Sequence, residues 1–166
     1  MSEETAIITI PWGVGSGLDR VRLIAEDLRT STYVPYTHLG LEITQAEKGS
    51  VEMRWAPGET VLNRGGIVHG GYIATALDEV CGVAAISGSE PATPFVTMSL
   101  NVDYVRPLLA DEVYTVTGTV LQASRTRTLI HAAVTDALGR LCCQASGSLT
   151  PNRKLLRAAQ KASTDA

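Results

Sequence analysis

The sequence predicts an α+β domain in which a curved antiparallel sheet wraps one buried helix, and three observations carry that expectation. Residues 37–150 hold six strand-like runs rich in Val, Thr and Tyr. Between the second and third runs lies "YIATALDEVCGVAAI", residues 72–86, which is apolar around nearly its whole circumference. A helix of that kind must be enclosed, and the sheet is the element available to enclose it. The links between the later runs are short, which suits neighbouring antiparallel strands and predicts a meander. Such a sheet leaves edges that a second copy would protect, so a homodimer is expected.

In chain order, residues 1–36 read as an N-terminal extension. Its segment "LDRVRLIAEDLRTS" places apolar residues at 18, 21, 24, 25 and 28, the spacing of an amphipathic helix. The stretch "HLGLEITQAEKGSVEMRWAPGE" reads as a hairpin turning at Glu47-Lys48-Gly49, with Leu39, Leu41 and Ile43 sharing one face and Val51, Met53 and Trp55 likewise. After the central helix come "TPFVTMSLNVDYVRP", "EVYTVTGTVLQAS", "TRTLIHAAVTD" and "RLCCQASGSLT". Residues 151–166 form a polar tail with room for a short helix whose Lys and Arg side chains are solvated.

Composition narrows the function. A chain of 166 residues, 45% hydrophobic and 19% charged, fits one globular domain. Its net charge of −3 offers no basic surface for nucleic acid. No apolar run suits a membrane helix and "MSEETAIITIPWG" lacks the layout of a signal peptide, so a cytoplasmic chain is expected. Cys81, Cys142 and Cys143 lack metal-ligand spacing and read as reduced packing residues. His38, His69 and His131 are far apart, so no metal is expected. A G-x-S-x-G nucleophile elbow is absent.

The informative stretch is "NRGGIVHGG", residues 63–71, running directly into the apolar helix. Gly70 and Gly71 sit where the helix begins, and free amides at a helix N-terminus favour developing negative charge, as an oxyanion hole requires. A tight turn that needs glycine for its backbone angles explains the same residues. Asp78 follows nine residues after His69 inside the apolar helix, where an ionised carboxylate is costly unless hydrogen-bonded or put to use. Its neighbour Glu79 lies about 100° around the helix and is expected to reach the surface more easily. Gly71 and Asp78 are seven residues apart, about 10 Å along the axis, so one reacting carbon cannot meet both. Two copies with antiparallel helices would bring the amides of one to Asp78 of the other, making composite sites.

"NRGGIVHGGYIATALDEV" and "VTMSLNVDYVRP" together resemble hotdog-fold acyl-CoA thioesterases of the phenylacetate-degradation type, over roughly residues 37–150. The resemblance implies a hotdog domain at 37–150 that hydrolyses an acyl-CoA, aromatic or medium-chain, to free acid and CoA without a cofactor. It implies that Asp78 activates water or attacks the thioester carbon, and that the Gly70 amide, with or without Gly71, polarises the carbonyl. Asn63 would lie near the carbonyl or water, and Thr97 would orient the carboxylate or water. His69 belongs to the motif as a structural hydrogen-bonder at the helix start. Arg125 and Arg127, with Arg106 and Arg153 behind them, are candidates for the CoA phosphates or else plain solvated cations, and Tyr72, Leu77 and Val80 are candidates for the acyl pocket. Whether dimers pair into tetramers stays open. Two rivals share the fold: a non-catalytic acyl-CoA binder, and a hydratase or dehydratase, which would carry a D-x-x-x-x-H pair that is absent here. A purely structural module leaves Asp78 unexplained.

Overall fold

The computed structural model describes residues 11–27 and 34–164. The elements in order are α1 (Gly17–Asp27), α2 (Val34–Leu39), β1 (Leu41–Glu47), β2 (Ser50–Trp55), a 3-10 turn (Glu59–Val61), α3 (Gly70–Ser87), β3 (Phe95–Tyr104), β4 (Tyr114–Ala123), β5 (Thr128–Thr135), β6 (Leu141–Pro151) and α4 (Arg153–Thr164). Six antiparallel strands form one sheet in the order β1-β2-β4-β5-β6-β3, with α3 packed on its inner face. This is the predicted curved sheet around a long helix.

Alternation along each strand builds the inner face. Val51, Met53 and Trp55 of β2, Tyr114 and Val116 of β4, Ile130, Ala132 and Val134 of β5, and Cys143, Ala145 and Leu149 of β6 are all buried. Against them α3 places Ile73, Ala76, Leu77, Val80, Cys81 and Ala84. The helix comes very close to β4: a Cβ added at Gly118 would lie 2.7 Å from the Val80 carbonyl oxygen, so only glycine admits that approach. The Trp55 indole donates to the Leu39 carbonyl at 2.7 Å, fastening the hairpin to the end of α2. In α1, Val21 is buried and Ile24 and Ala25 pack against the core, as the helical spacing predicts; Leu28 lies outside the described residues.

Four expectations are corrected. The sheet is not a meander throughout, because β3 pairs with β6 at the edge and not with β4. A short link limits the distance between strand ends without requiring adjacency. Residues 105–113 lead from β3 to β4, held by the Val68 amide to the Leu108 carbonyl at 2.9 Å and by the fully buried Leu108 side chain. Leu39 is the last residue of α2 and precedes the first strand, which begins at Leu41. The central helix is not enclosed all round: Gly71 and Thr75 are exposed, and Ala74, Asp78 and Gly82 are half-buried, so one stripe of α3 beside β3 faces outward. Finally, Glu79 and not Asp78 turns inward. Glu79 accepts a hydrogen bond from the hydroxyl of Tyr36, itself 6% exposed, because α1 and α2 cover that side of α3.

Candidate active site

The loop before α3 is built around Asn63. Its amide donates to the Ile67 carbonyl at 2.8 Å, and its side-chain oxygen accepts from the Gly65 amide at 2.7 Å and the Ile67 amide at 3.4 Å. These bonds commit the oxygen of the carboxamide to the loop and leave its NH2 group as the donor. The His69 amide donates to the Val61 carbonyl at 2.9 Å, and His69 then serves as the N-cap of α3, with extended backbone angles of φ −64 and ψ 132. Its Nδ1 accepts from the Gly71 amide at 3.0 Å. His69 thus caps the helix through its ring nitrogen.

That cap divides the two glycine amides. The first N–H groups of a helix have no intrahelical acceptor. The Gly71 amide is taken by His69, whereas the Gly70 amide has no hydrogen-bond partner among the described residues. Gly70 faces a cavity of about 400 Å³ that is also lined by Asn63, Tyr104 and Arg106. The Tyr104 hydroxyl donates to the Gly70 carbonyl at 2.8 Å and so fixes the next peptide, Gly70–Gly71. Tyr104 lies within "VTMSLNVDYVRP", where neither its type nor its spacing singles it out as a site residue. Arg106 donates to the Leu141 carbonyl and so holds its guanidinium at the cavity's edge.

Eight residues along α3 from Gly70, about 12 Å by helix geometry, stands the second half of the site. The Thr97 hydroxyl donates to Asp78 Oδ1 at 2.8 Å, joining the outward stripe of α3 to the inner side of β3. Asp78 is half-buried, and Thr97 sits beside the irregularity in the β3–β6 register between Thr97 and Ser99. Within one chain the structure thus brings Asn63 to Gly70 and Thr97 to Asp78, and keeps the two pairs apart.

The surrounding groups differ in chemistry. Burial holds the Glu79 carboxyl above its ordinary range; the Tyr36 hydrogen bond opposes this, and the nearby charge of Asp78 adds to it. Burial, with a contribution from Asp78, pushes the Cys81 thiol up to about 12, and burial raises Cys143 to about 11. These thiols stay protonated and unreactive, as packing residues do. Leu77 and Val80 are fully buried on the face of α3 that packs into the core. Tyr72 is half-buried between His38 and His69, with ring centroids 6.0 and 6.4 Å away. Arg127 donates from Nε to the Ser148 hydroxyl at 2.7 Å beside Met98 and Thr150, whereas Arg125 lines a different cavity, with Phe95 and Arg153. Among the described residues no three His, Cys, Asp or Glu side chains cluster to hold a metal, and no helix is long and apolar enough to cross a membrane.

Comparison with known proteins identifies the family. Residues 65–143 match the thioesterase superfamily, a segment that includes Gly70, Asp78 and Thr97. A protein of Halobacterium salinarum, provisionally named an esterase, is 32% identical over 108 residues, 60% of this chain and 72% of its own length. A thioesterase of Streptococcus pneumoniae, described as hypothetical and solved with coenzyme A, superposes with a TM-score of 0.64 at 27% identity, over 68% of this chain and 88% of that one. The same protein has been solved with an aspartate and with a threonine replaced by alanine. The PaaI protein of the Escherichia coli phenylacetic acid degradation operon shares the fold, with a TM-score of 0.70 at 16% identity over 81% of this chain and 95% of that one. The chain belongs to the thioesterase superfamily and is a hotdog-fold thioester hydrolase.

Proposed function

We propose that the substrate is an acyl-CoA, with an aromatic or medium-length acyl group, and that hydrolysis occurs at two composite sites of a homodimer. In each, Asp78 and Thr97 come from one protomer and Gly70 and Asn63 from the other. The observation that carries this reading is the 2.8 Å bond from Thr97 to Asp78, which holds a carboxylate on the outward stripe of α3 while the unpartnered Gly70 amide stands about 12 Å along the same helix. The open stripe and the edge strand β3, with Met98 69% exposed, form a surface for a second copy in which the two α3 helices run antiparallel. Further support comes from the related pneumococcal protein, which is seen with coenzyme A. Free buried cysteines suit a reducing compartment such as the cytoplasm.

The chemistry then needs only these groups. The thioester carbonyl oxygen accepts from the Gly70 amide, with the Asn63 NH2 beside it, and negative charge developing there is stabilised by donors already in place. In the water route, Asp78 removes a proton as the oxygen of water bonds to the carbonyl carbon. Collapse breaks the carbon–sulfur bond, and the proton held by Asp78 passes to the departing thiolate. In the nucleophilic route, Asp78 attacks the carbonyl carbon and the carbon–sulfur bond breaks to release the CoA thiolate, leaving a mixed anhydride; water then opens the anhydride to the free acid and the Asp78 carboxylate, and the proton that water gives up passes to the thiolate. Thr97 fixes the carboxylate in either case. His69 holds the glycine turn, and Arg106 stands at the cavity edge, with Arg125 and Arg127 offered to substrate phosphates.

The test is a panel of aromatic and aliphatic acyl-CoA thioesters assayed for free thiol with the wild type and with Asp78→Asn. The variant keeps its shape and its bond from Thr97 but loses the base, so turnover should fall by roughly 10²- to 10⁴-fold with folding and oligomeric state retained. Near-normal turnover would refute the role. Enoyl-CoA hydration by the wild type would favour the hydratase alternative, and binding without thiol release a non-catalytic carrier.

A further inference from the structure

At the opposite end of α3 from the His69–Gly70 step, a cavity of about 490 Å³ lies between the inner sheet face and α4. That volume falls in the range of small-molecule sites. Ala85, Phe95 and Val120 supply apolar walls, and Leu156 of α4 closes over them. Arg125, Arg153 and Arg157 also line it. The carboxylate of Glu90, at the same cavity, is paired with Lys48 at 3.1 Å and does not neutralise the arginines. A chain of net charge −3 thus gathers three guanidiniums at one apolar hollow. Arg153 donates to the Arg125 carbonyl at 3.1 Å, which ties α4 to the turn between β4 and β5. Arg157 is exposed, with no hydrogen bond or ion pair among the described residues.

The cavity adjoins the chemistry. Ala85 lies seven residues beyond Asp78, about 10 Å along α3, and Phe95 lies two residues before Thr97 on β3, about 7 Å away. The segment matched to the thioesterase superfamily ends at residue 143, so α4 is an addition to it. We infer that α4 is a recognition element for the nucleotide end of the substrate: Arg125, Arg153 and Arg157 hold its phosphates while the apolar walls receive the adenosine. The pantetheine arm then runs along α3 toward Asp78 and Thr97. This rests on the acyl-CoA reading. Three planar guanidiniums suit a group bearing several phosphate charges, whereas the single carboxylate of a fatty acid would leave two of them unneutralised.

The experiment pairs calorimetric titration of adenosine 3′,5′-bisphosphate with hydrolysis of one acyl group carried on CoA and on pantetheine. The proteins are wild type, Arg157→Gln and the Arg153→Gln/Arg157→Gln double variant. Arg157 is exposed, so its replacement should leave folding intact, and a thermal melt checks this. Expected for Arg157→Gln is on the order of ten-fold weaker bisphosphate binding and a similar fall in the kcat/KM ratio of acyl-CoA over acyl-pantetheine, expressed in KM, with a larger fall for the double variant. Folded variants with unchanged affinity and ratio would overturn the assignment. ATP binding as tightly as the bisphosphate would overturn it too, by reassigning the cavity to a free nucleotide. If the wild type cleaves neither thioester, the acyl-CoA reading fails, yet arginine-dependent bisphosphate binding would still support the nucleotide site and its absence would remove it.

Discussion

A composite site makes a prediction that no single-chain site can imitate. Gly70 and Asp78 are eight residues apart on one straight helix, about 12 Å, whereas an oxyanion donor and the base must both stand about 3 Å from the same reacting group. One protomer cannot supply both. Two lesions separate the halves cleanly. Asp78→Asn removes the base. Gly70→Pro removes one N–H, which has no partner among the described residues, at the first helical position where proline is favoured. The preceding His69 already has the extended angles that proline demands of its neighbour, φ −64 and ψ 132. A Cβ added at Gly70 would lie 3.3 Å from the Tyr104 side chain, which is 54% exposed. Each homodimer should therefore fold yet lose turnover, by about 10²- to 10³-fold for the missing donor. When the two variants are co-expressed with different tags, each hybrid dimer carries one doubly damaged site and one intact site. Random pairing makes half the dimers hybrid, so about a quarter of wild-type thiol release should return in the mixture and about half in the purified hybrid. Hybrids as inactive as either parent would show that each site lies within one chain and would refute the shared-site reasoning.

Other expectations follow from single contacts. Thr97→Ala deletes the 2.8 Å bond to Asp78, and thioester turnover should fall about ten-fold, less than for Asp78→Asn; equal losses would make Thr97 more than an orienting group. Gly118→Ala puts a methyl 2.7 Å from the Val80 carbonyl oxygen, an overpacking expected to cost about 1–3 kcal/mol, and a thermal melt that fails to drop would show that α3 can shift. Glu79 is held above its ordinary 4.5, chiefly by burial, so the folded state binds its proton more tightly than the unfolded chain does. Its contribution to stability is thus fully present below 4.5 and is lost as pH rises through the folded value. Glu79→Gln should stabilise increasingly relative to wild type as melts are run from about pH 4 toward pH 7, and a constant difference would exclude this.

The sequence reveals which segments are helical and extended, and less about how they neighbour one another. The apolar residues 72–86 mark α3 to within two residues at its start and one at its end, because burial on most sides and the glycine step are local signals. The position of β3 is not local. Its alternation identifies a strand, but the path of the 105–113 link, anchored by Leu108, is what allows β6 and not β4 to be its partner. Around the site, type and spacing single out His69, Gly70 and Asp78, and the family resemblance adds Thr97. The partition of the amides was not, since it depends on which His69 nitrogen turns back to Gly71. Nor was the role of Asn63 in closing its own loop, which follows from the backbone turn at Gly65 and Ile67.

The adjacent carboxylates show why periodicity alone misassigned their surroundings. Helix geometry places Asp78 and Glu79 about 100° apart but cannot say which of the two directions is covered, because cover comes from elements distant in sequence. Here α1 and α2 close the Glu79 side, and Tyr36 supplies the hydrogen bond that makes burial of that carboxyl tolerable. On the Asp78 side the Thr97 hydroxyl of the edge strand reaches the carboxylate. The Glu79 carboxyl, paired with the buried Tyr36 hydroxyl, has a structural partner. A carboxylate on the open stripe, anchored by one hydroxyl and beside an unpaired strand edge, is available to whatever docks there. The same N-terminal cover that buries Glu79 therefore leaves Asp78 as the group open to chemistry, and a second copy laid along the stripe would supply the donor that its own chain holds 12 Å away.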